Sequence, residues 1–93
     1  MILTKEDYKN IAAKIEKGVR YTKGDIEYEK NGEVLCIGYE YIVEGYFEDD
    51  TNAFIMTWDF FKAEAESYTN DTSVESHMTD NNFSGEELYK FVA

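Results

Sequence analysis

The stretch Ile26-Glu27-Tyr28-Glu29-Lys30-Asn31-Gly32-Glu33-Val34-Leu35-Cys36-Ile37 decides the fold. Alternating residues flank Asn31-Gly32, a pair that suits a two-residue hairpin turn because both turn positions need a positive φ. A two-residue loop leaves one register: Lys30 opposite Glu33, Tyr28 opposite Leu35, Ile26 opposite Ile37. One opposite-charge pair at the turn is therefore expected, followed by two apolar pairs on one face. That face continues as Tyr39, Tyr41 and Val43.

Towards the C-terminus the next turn signal is Asp49-Asp50-Thr51-Asn52. Taken as a four-residue loop, it pairs Phe47 with Phe54, Val43 with Trp58 and Tyr41 with Phe60, all on the face the hairpin defined. Registers read from two separate turns agree, which supports both. Past Phe60 the alternation changes phase, with Phe61, Ala63 and Ala65 apolar against Lys62, Glu64 and Glu66. A β-bulge near Phe60-Phe61 restores the facing. Ala, Glu and Lys also favour helix, but Glu64 and Glu66 lie two apart, which suits one face of a strand, and residues 61–68 are read as strand. Asn70-Asp71-Thr72 is a turn, and Val74 to Met78 a short fourth strand.

Both ends carry helix starts. Thr4 caps, with Asp7 as its reciprocal partner and Leu3 stapled onto Tyr8; Ser84 with Glu87 repeats the pattern after Phe83. Helices are expected over 5–17 and 85–92. Tyr8, Ile11, Ala12 and Ile15 make one apolar stripe in the first, with Gly18 as its stop, and Leu88, Phe91 and Val92 serve the second. The expected fold is α+β: an antiparallel meander of three to four strands with an N-terminal and a short C-terminal helix on one face.

A chain of 93 residues with 43% apolar content builds one core, so one domain over 1–93 is expected. Cys36 is the single cysteine, which excludes an intramolecular disulfide framework and a cysteine-rich zinc site. The start lacks the pattern of a signal peptide, and no apolar run approaches the ~18 residues of a membrane span, so a cytoplasmic protein is expected.

Charge narrows the partner. Residues 1–23 carry six basic and three acidic groups, residues 24–93 three basic and seventeen acidic, for a net −11. A pI near 4.3 disfavours direct binding to nucleic acid or to an anionic bilayer, because like charge repels. The counterpart this composition suits is a basic protein surface. The strand reading puts Glu27, Glu29, Glu40, Glu44, Asp59, Glu64 and Glu66 on the face opposite the helices. Carboxylates two apart along a strand stand about 6.8 Å from one another, similar to neighbouring phosphates along a nucleic-acid strand. Such a face imitates a polyanion and suits the basic site of a nucleic-acid-binding protein. The competing reading is that a wet sheet face carries charge for solubility and against edge aggregation. Val34, Cys36, Ile42, Tyr46 and Ile55 fall on the same face. They point either to an interface core with an acidic rim or to a second layer, through dimerisation or the C-terminal segment.

Other candidates are weaker. Lys5, Lys9, Lys14 and Lys17 are spread around the first helix without forming a stripe, so they are expected to neutralise nearby carboxylates, within the molecule or across a homo-oligomer contact. Asp80, Asn82 and Ser84, with Gly85, match the first half of a calcium loop, but position 12 is Phe91 where a bidentate glutamate is needed. Asp49-Asp50-Thr51-Asn52 is explained as a polar loop without a metal. His77 is the single histidine, and no phosphate loop, metal-ligand spacing or nucleophile motif is present, so neither catalytic residues nor a cofactor are assigned and no enzyme is expected. The expected function is a small acidic binding protein acting through its carboxylate-rich sheet face as a nucleic-acid mimic. The alternative is an accessory or structural domain, acidic for solubility and homodimeric; a weak calcium-binding domain is the third reading.

Overall fold

The computed structural model describes residues 1–16, 20–69 and 77–92. Helix α1 spans Lys5–Lys14, strands β1 Arg20–Lys30, β2 Glu33–Phe47, β3 Phe54–Thr69 and β4 Met78–Thr79, and helix α2 Gly85–Val92. The strands lie in the order β1-β2-β3-β4, all antiparallel, in a strongly curled half-barrel meander. The expected turn at 70–72, Val74 to Ser76 of the expected fourth strand, and Lys17 and Gly18 lie outside the described residues.

The first hairpin follows from its turn. Asn31 and Gly32 hold φ of 51° and 76°, and every β1–β2 pair from Lys30↔Glu33 to Arg20↔Val43 keeps the register that a two-residue loop imposes. Lys30 faces Glu33 in register, as expected, but the two form no ion contact with each other. Lys30 Nζ instead lies 2.6 Å from Asp7 Oδ2 and donates to the Ile2 carbonyl at 2.8 Å, while Glu33 takes the Met1 amino group at 3.5 Å. A half-buried lysine beside a buried carboxylate gains more there than from an open turn.

The second hairpin closes as expected. Glu48 N–H donates to the Ala53 carbonyl at 2.8 Å, leaving Asp49–Asn52 as the loop, and Phe47↔Phe54 and Val43↔Trp58 pair. Tyr41, however, pairs with Phe61 rather than Phe60, because the register shift falls between Ile42 and Val43. The extra residue is Asp59, one position before the expected bulge. Phe61 then turns inward, 6.3 Å from the Trp58 ring and 5.3 Å from Tyr89 of α2. Residues 61–68 are strand, as read.

The core lies between the concave face and the helices: Tyr8 and Ile11 from α1 with Ile15 just after it, Leu35, Ile37, Tyr39, Tyr41 and Val43 from β2, Leu88 and Val92 from α2. Helix α1 stops at Lys14, short of residue 17. Ile15 takes extended angles, and two core tyrosines hold Glu16: Tyr39 Oη accepts from its N–H at 3.3 Å and Tyr41 Oη donates to its carbonyl. Tyr39 reaches that position because its partner Gly24 has no side chain; a Cβ there would stand 2.5 Å from the Tyr39 hydroxyl. At the opposite end, Tyr8 Oη donates to the Asn82 carbonyl at 3.2 Å and accepts from Ser84 N–H at 3.0 Å, tying α1 to the start of α2.

The molecule measures 59 × 22 × 17 Å. Its length comes from β2 and β3, which continue beyond β1. The described part of β1 ends opposite Val43, so among the described residues Glu44–Phe47 and Phe54–Thr57 form a two-stranded arm. Tyr46, Phe47, Phe54 and Met56 on that arm are all exposed. No described helix is long and apolar enough to cross a membrane.

Candidate functional site

Strand register builds the convex face row by row. From one end, the cross-strand rows are Glu29·Val34·Tyr68, Glu27·Cys36·Glu66, Asp25·Gly38·Glu64, Lys23·Glu40·Lys62 and Tyr21·Ile42·Phe60, followed on the arm by Glu44·Thr57 and Tyr46·Ile55. The face therefore has two halves. One carries carboxylates on β1 and β3 around an uncharged middle strand; the other is mainly apolar. A lysine row divides them.

In the acidic half, Glu27, Glu29, Glu64 and Glu66 are exposed, and Asp25, absent from the sequence reading, joins them. At the dividing row Lys62 Nζ stands 3.5 Å from Glu64 Oε1 with both side chains exposed, a contact worth little in water. Tyr68 Oη donates to Glu66 Oε2 at 2.6 Å. The middle of this half is shallow because Gly38 has no side chain, and Asp25 Oδ1 comes within 3.3 Å of where its Cβ would stand.

The other expected acidic residues lie elsewhere. Glu40 is half-buried, in register between Lys23 and Lys62, and accepts from Tyr21 Oη at 2.9 Å. That hydrogen bond to a carboxylate raises the Tyr21 pKa. Glu44 belongs to the arm, and Asp59 is the exposed bulge residue. The structure thus gathers Glu27, Glu29, Glu64 and Glu66 and separates Glu40, Glu44 and Asp59 from them. Lys23 and Tyr21 were legible as members of this face from the first hairpin's register, and Lys62 from the phase change past Phe60; Phe60 was not, because its facing depends on where the bulge falls.

Of the apolar residues assigned to this face, Val34, Ile42 and Ile55 are half-buried, whereas Cys36 and Tyr46 are exposed. Tyr21, Tyr46 and Phe60 remain 58%, 52% and 42% exposed, so the described residues supply no second layer over them.

Partial desolvation on the sheet, together with the flanking Glu27 and Glu66 carboxylates, pushes the Cys36 thiol up. Since the thiolate is the nucleophile, Cys36 is expected to react with iodoacetamide several-fold more slowly at pH 8 than free cysteine. Glu27→Gln with Glu66→Gln should restore part of the rate, the part owed to desolvation remaining. A wild-type rate equal to that of free cysteine, or no response to the double variant, would show that the negative potential at this row is negligible.

The calcium candidates have other tasks. Asn82 Oδ1 accepts from Leu3 N–H at 2.7 Å, and Ser84 Oγ accepts from Glu87 N–H at 3.4 Å as a helix cap. Among the described residues no group of three or more His, Cys, Asp or Glu is placed to hold a metal ion. Lys5, Lys9 and Lys14 are exposed, and none of the ion pairs among the described residues involves them. The concave side also holds a groove of about 600 Å³ between β3 and α2, lined by Trp58, Phe61 and Tyr89. Its aromatic walls follow from the bulge that turns Phe61 inward. No family model, curated protein or solved structure matches the chain.

Proposed function

We propose that this chain is a non-catalytic binding protein whose acidic half-face docks on a basic protein surface and competes there with nucleic acid. The observation that carries the reading is the placement of Asp25, Glu27 and Glu29 on β1 and Glu64 and Glu66 on β3, on either side of Cys36 and Gly38. The two carboxylate rows stand two strand spacings apart, about 9.6 Å. A lysine or arginine lowered onto Gly38 meets carboxylates on both sides, which favours cations that arrive in a line. Charged groups so arranged act mainly through attraction at a distance and selection against acidic partners. Lys23 and Lys62 bound the site, so its length is that of β1 from Asp25 to Glu29 rather than the whole sheet.

The test is affinity capture from a lysate at low salt on the immobilised protein. Basic nucleic-acid-binding proteins should be retained, released steeply as salt rises, and displaced by excess duplex DNA. Glu64→Lys with Glu66→Lys should weaken retention about tenfold or more. Retention that ignores the double variant, or that survives excess DNA, would remove the mimicry reading.

A further inference from the structure

The apolar half of the convex face is a separate surface. Along β2 it runs from Ile42 to Tyr46, with Tyr21 and Phe60 beside Ile42 and Ile55 beside Tyr46. At about 200 Å² for a large aromatic side chain, with close to half exposed on each, the three rings alone present on the order of 300 Å². That is the size of the largest apolar patch on a typical monomer, which is often a functional one. Both termini of the patch are charged, with opposite sign. Lys23 and Lys62 close it at the sheet end, and Glu48, Asp49 and Asp50 close it at the arm tip.

The spacing of these charges selects the occupant. Glu44, in the row midway along the patch, lies four residues from Glu40 of the lysine row and four from Glu48 of the tip, about 13 Å either way. A two-fold axis through the Glu44·Thr57 row, parallel to the face, therefore lays the acidic tip of one copy over the lysine row of another. It also sets Tyr46 and Ile55 of one copy against Ile42 and Phe60 of the other. A surface that matches its own image under a two-fold rotation forms a closed dimer with each contact made twice. We infer that a second copy of this chain covers the apolar half-face, in antiparallel orientation.

Two elements of the fit are discordant: the same rotation sets Glu48 of one copy over Glu40 of the other, between Lys23 and Lys62, and the Glu44 pair gives a distinctive signature. The two Glu44 carboxylates meet near the axis, where like charges oppose association. This dimer leaves the acidic half-faces at its two outer ends. It does not depend on the proposed binding activity, and its test reads association of the chain with itself.

Sedimentation of the purified chain at low salt, from about 1 to about 500 µM, is expected to show a monomer–dimer equilibrium. Lys23→Glu with Lys62→Glu should weaken it about tenfold or more, and so should Asp49→Lys with Asp50→Lys. All four replacements in one chain restore opposite signs across both contacts and should recover most of the affinity. Glu44→Gln should tighten the dimer, and Tyr46→Ser should abolish it. These positions are exposed, and unchanged far-ultraviolet circular dichroism confirms that each variant is folded. A wild-type chain that stays monomeric throughout, or a four-fold variant that dimerises no better than either pair, overturns the inference; the first outcome assigns the patch to a different chain.

Discussion

Replacing Asp7 by alanine is expected to lower stability by about 2–3 kcal/mol and the melting temperature by about 10–20 °C. Asp7 is buried on α1 and accepts from the backbone N–H and hydroxyl of Thr4, from Tyr28 Oη at 2.6 Å and from Lys30 Nζ at 2.6 Å. One carboxylate thus completes the helix cap and clamps the helix to the first hairpin. Alanine leaves the half-buried Lys30 ammonium with the Ile2 carbonyl alone and takes the Asp7 acceptor from the half-buried Tyr28 hydroxyl. Removing one member of a fully buried pair costs about 3–5 kcal/mol; the lower figure applies because the Lys30 side chain retains 25% exposure and keeps part of its hydration. Burial pushes the Asp7 carboxyl up, but the hydrogen bonds from Lys30, Tyr28 and Thr4 outweigh it and hold the group well below the usual carboxylate range. The folded chain therefore binds fewer protons here than the unfolded chain, whose Asp titrates near 3.9. Stability from this group is complete above that pH and is lost as pH falls below about 4. Urea unfolding at pH 7, 5 and 3 checks both effects: Asp7→Ala should be much weaker than wild type at pH 7, and the gap should narrow at pH 3. A loss under about 1 kcal/mol at pH 7, or a gap that does not change with pH, would reduce Asp7 to an ordinary helix cap.

The sequence made the local half of that clamp legible and concealed the distant half. Thr4 and Asp7 form a capping box because the residues that make it are three apart. Nothing local indicates that Lys30, 23 residues away, reaches the same carboxylate; its sequence neighbourhood offers Glu33. The strand registers were legible for a related reason. Asn31-Gly32 admits one turn geometry, and every later pair on β1 and β2 is counted from it. The bulge was legible only as a need. Trp58 must face inward and Phe61 must face inward, so one residue between them is surplus, but Asp59 and Phe60 satisfy that condition equally. In the structure Asp59 is the surplus residue and Phe60 pairs with Ile42, an outcome that no local signal in the sequence marks.

The site divides in the same way. The sign of the convex face follows from composition, and the grouping of Glu27, Glu29, Glu64 and Glu66 follows from register. The break at Lys23·Glu40·Lys62 follows from the same registers once they are applied to the cations as well as to the carboxylates. What such a face binds is not encoded in a motif, because attraction between charges specifies sign and spacing without requiring particular residue types.

Tyr41→Ala is expected to produce the largest single loss, about 3–5 kcal/mol, and to separate the arm from the core. Tyr41 is fully buried, with its ring 6.2 Å from Tyr39, 4.9 Å from Trp58 and 6.5 Å from Phe61, and its hydroxyl donates to the Glu16 carbonyl. It joins β2 to β3 at the bulge and fixes the chain leaving α1. For a domain of this length the total stability is roughly 5–14 kcal/mol, so the cavity removes a large part of it. Tyr41→Phe keeps the ring and should lose about 1 kcal/mol, since Glu16 is exposed and water can take the place of the hydroxyl. Two-stranded ribbons are marginal by themselves, and Tyr41 supports the strand pair where the arm begins, at Val43↔Trp58. Trp58, the single tryptophan, reports that position. In Tyr41→Ala its emission should shift to the red at urea concentrations below those that abolish far-ultraviolet dichroism; in wild type and Tyr41→Phe the two transitions should coincide. Coincident transitions in Tyr41→Ala would mean that the arm and the core unfold as one unit. A loss in Tyr41→Phe as large as in Tyr41→Ala would assign the role of Tyr41 to its hold on Glu16 rather than to its ring.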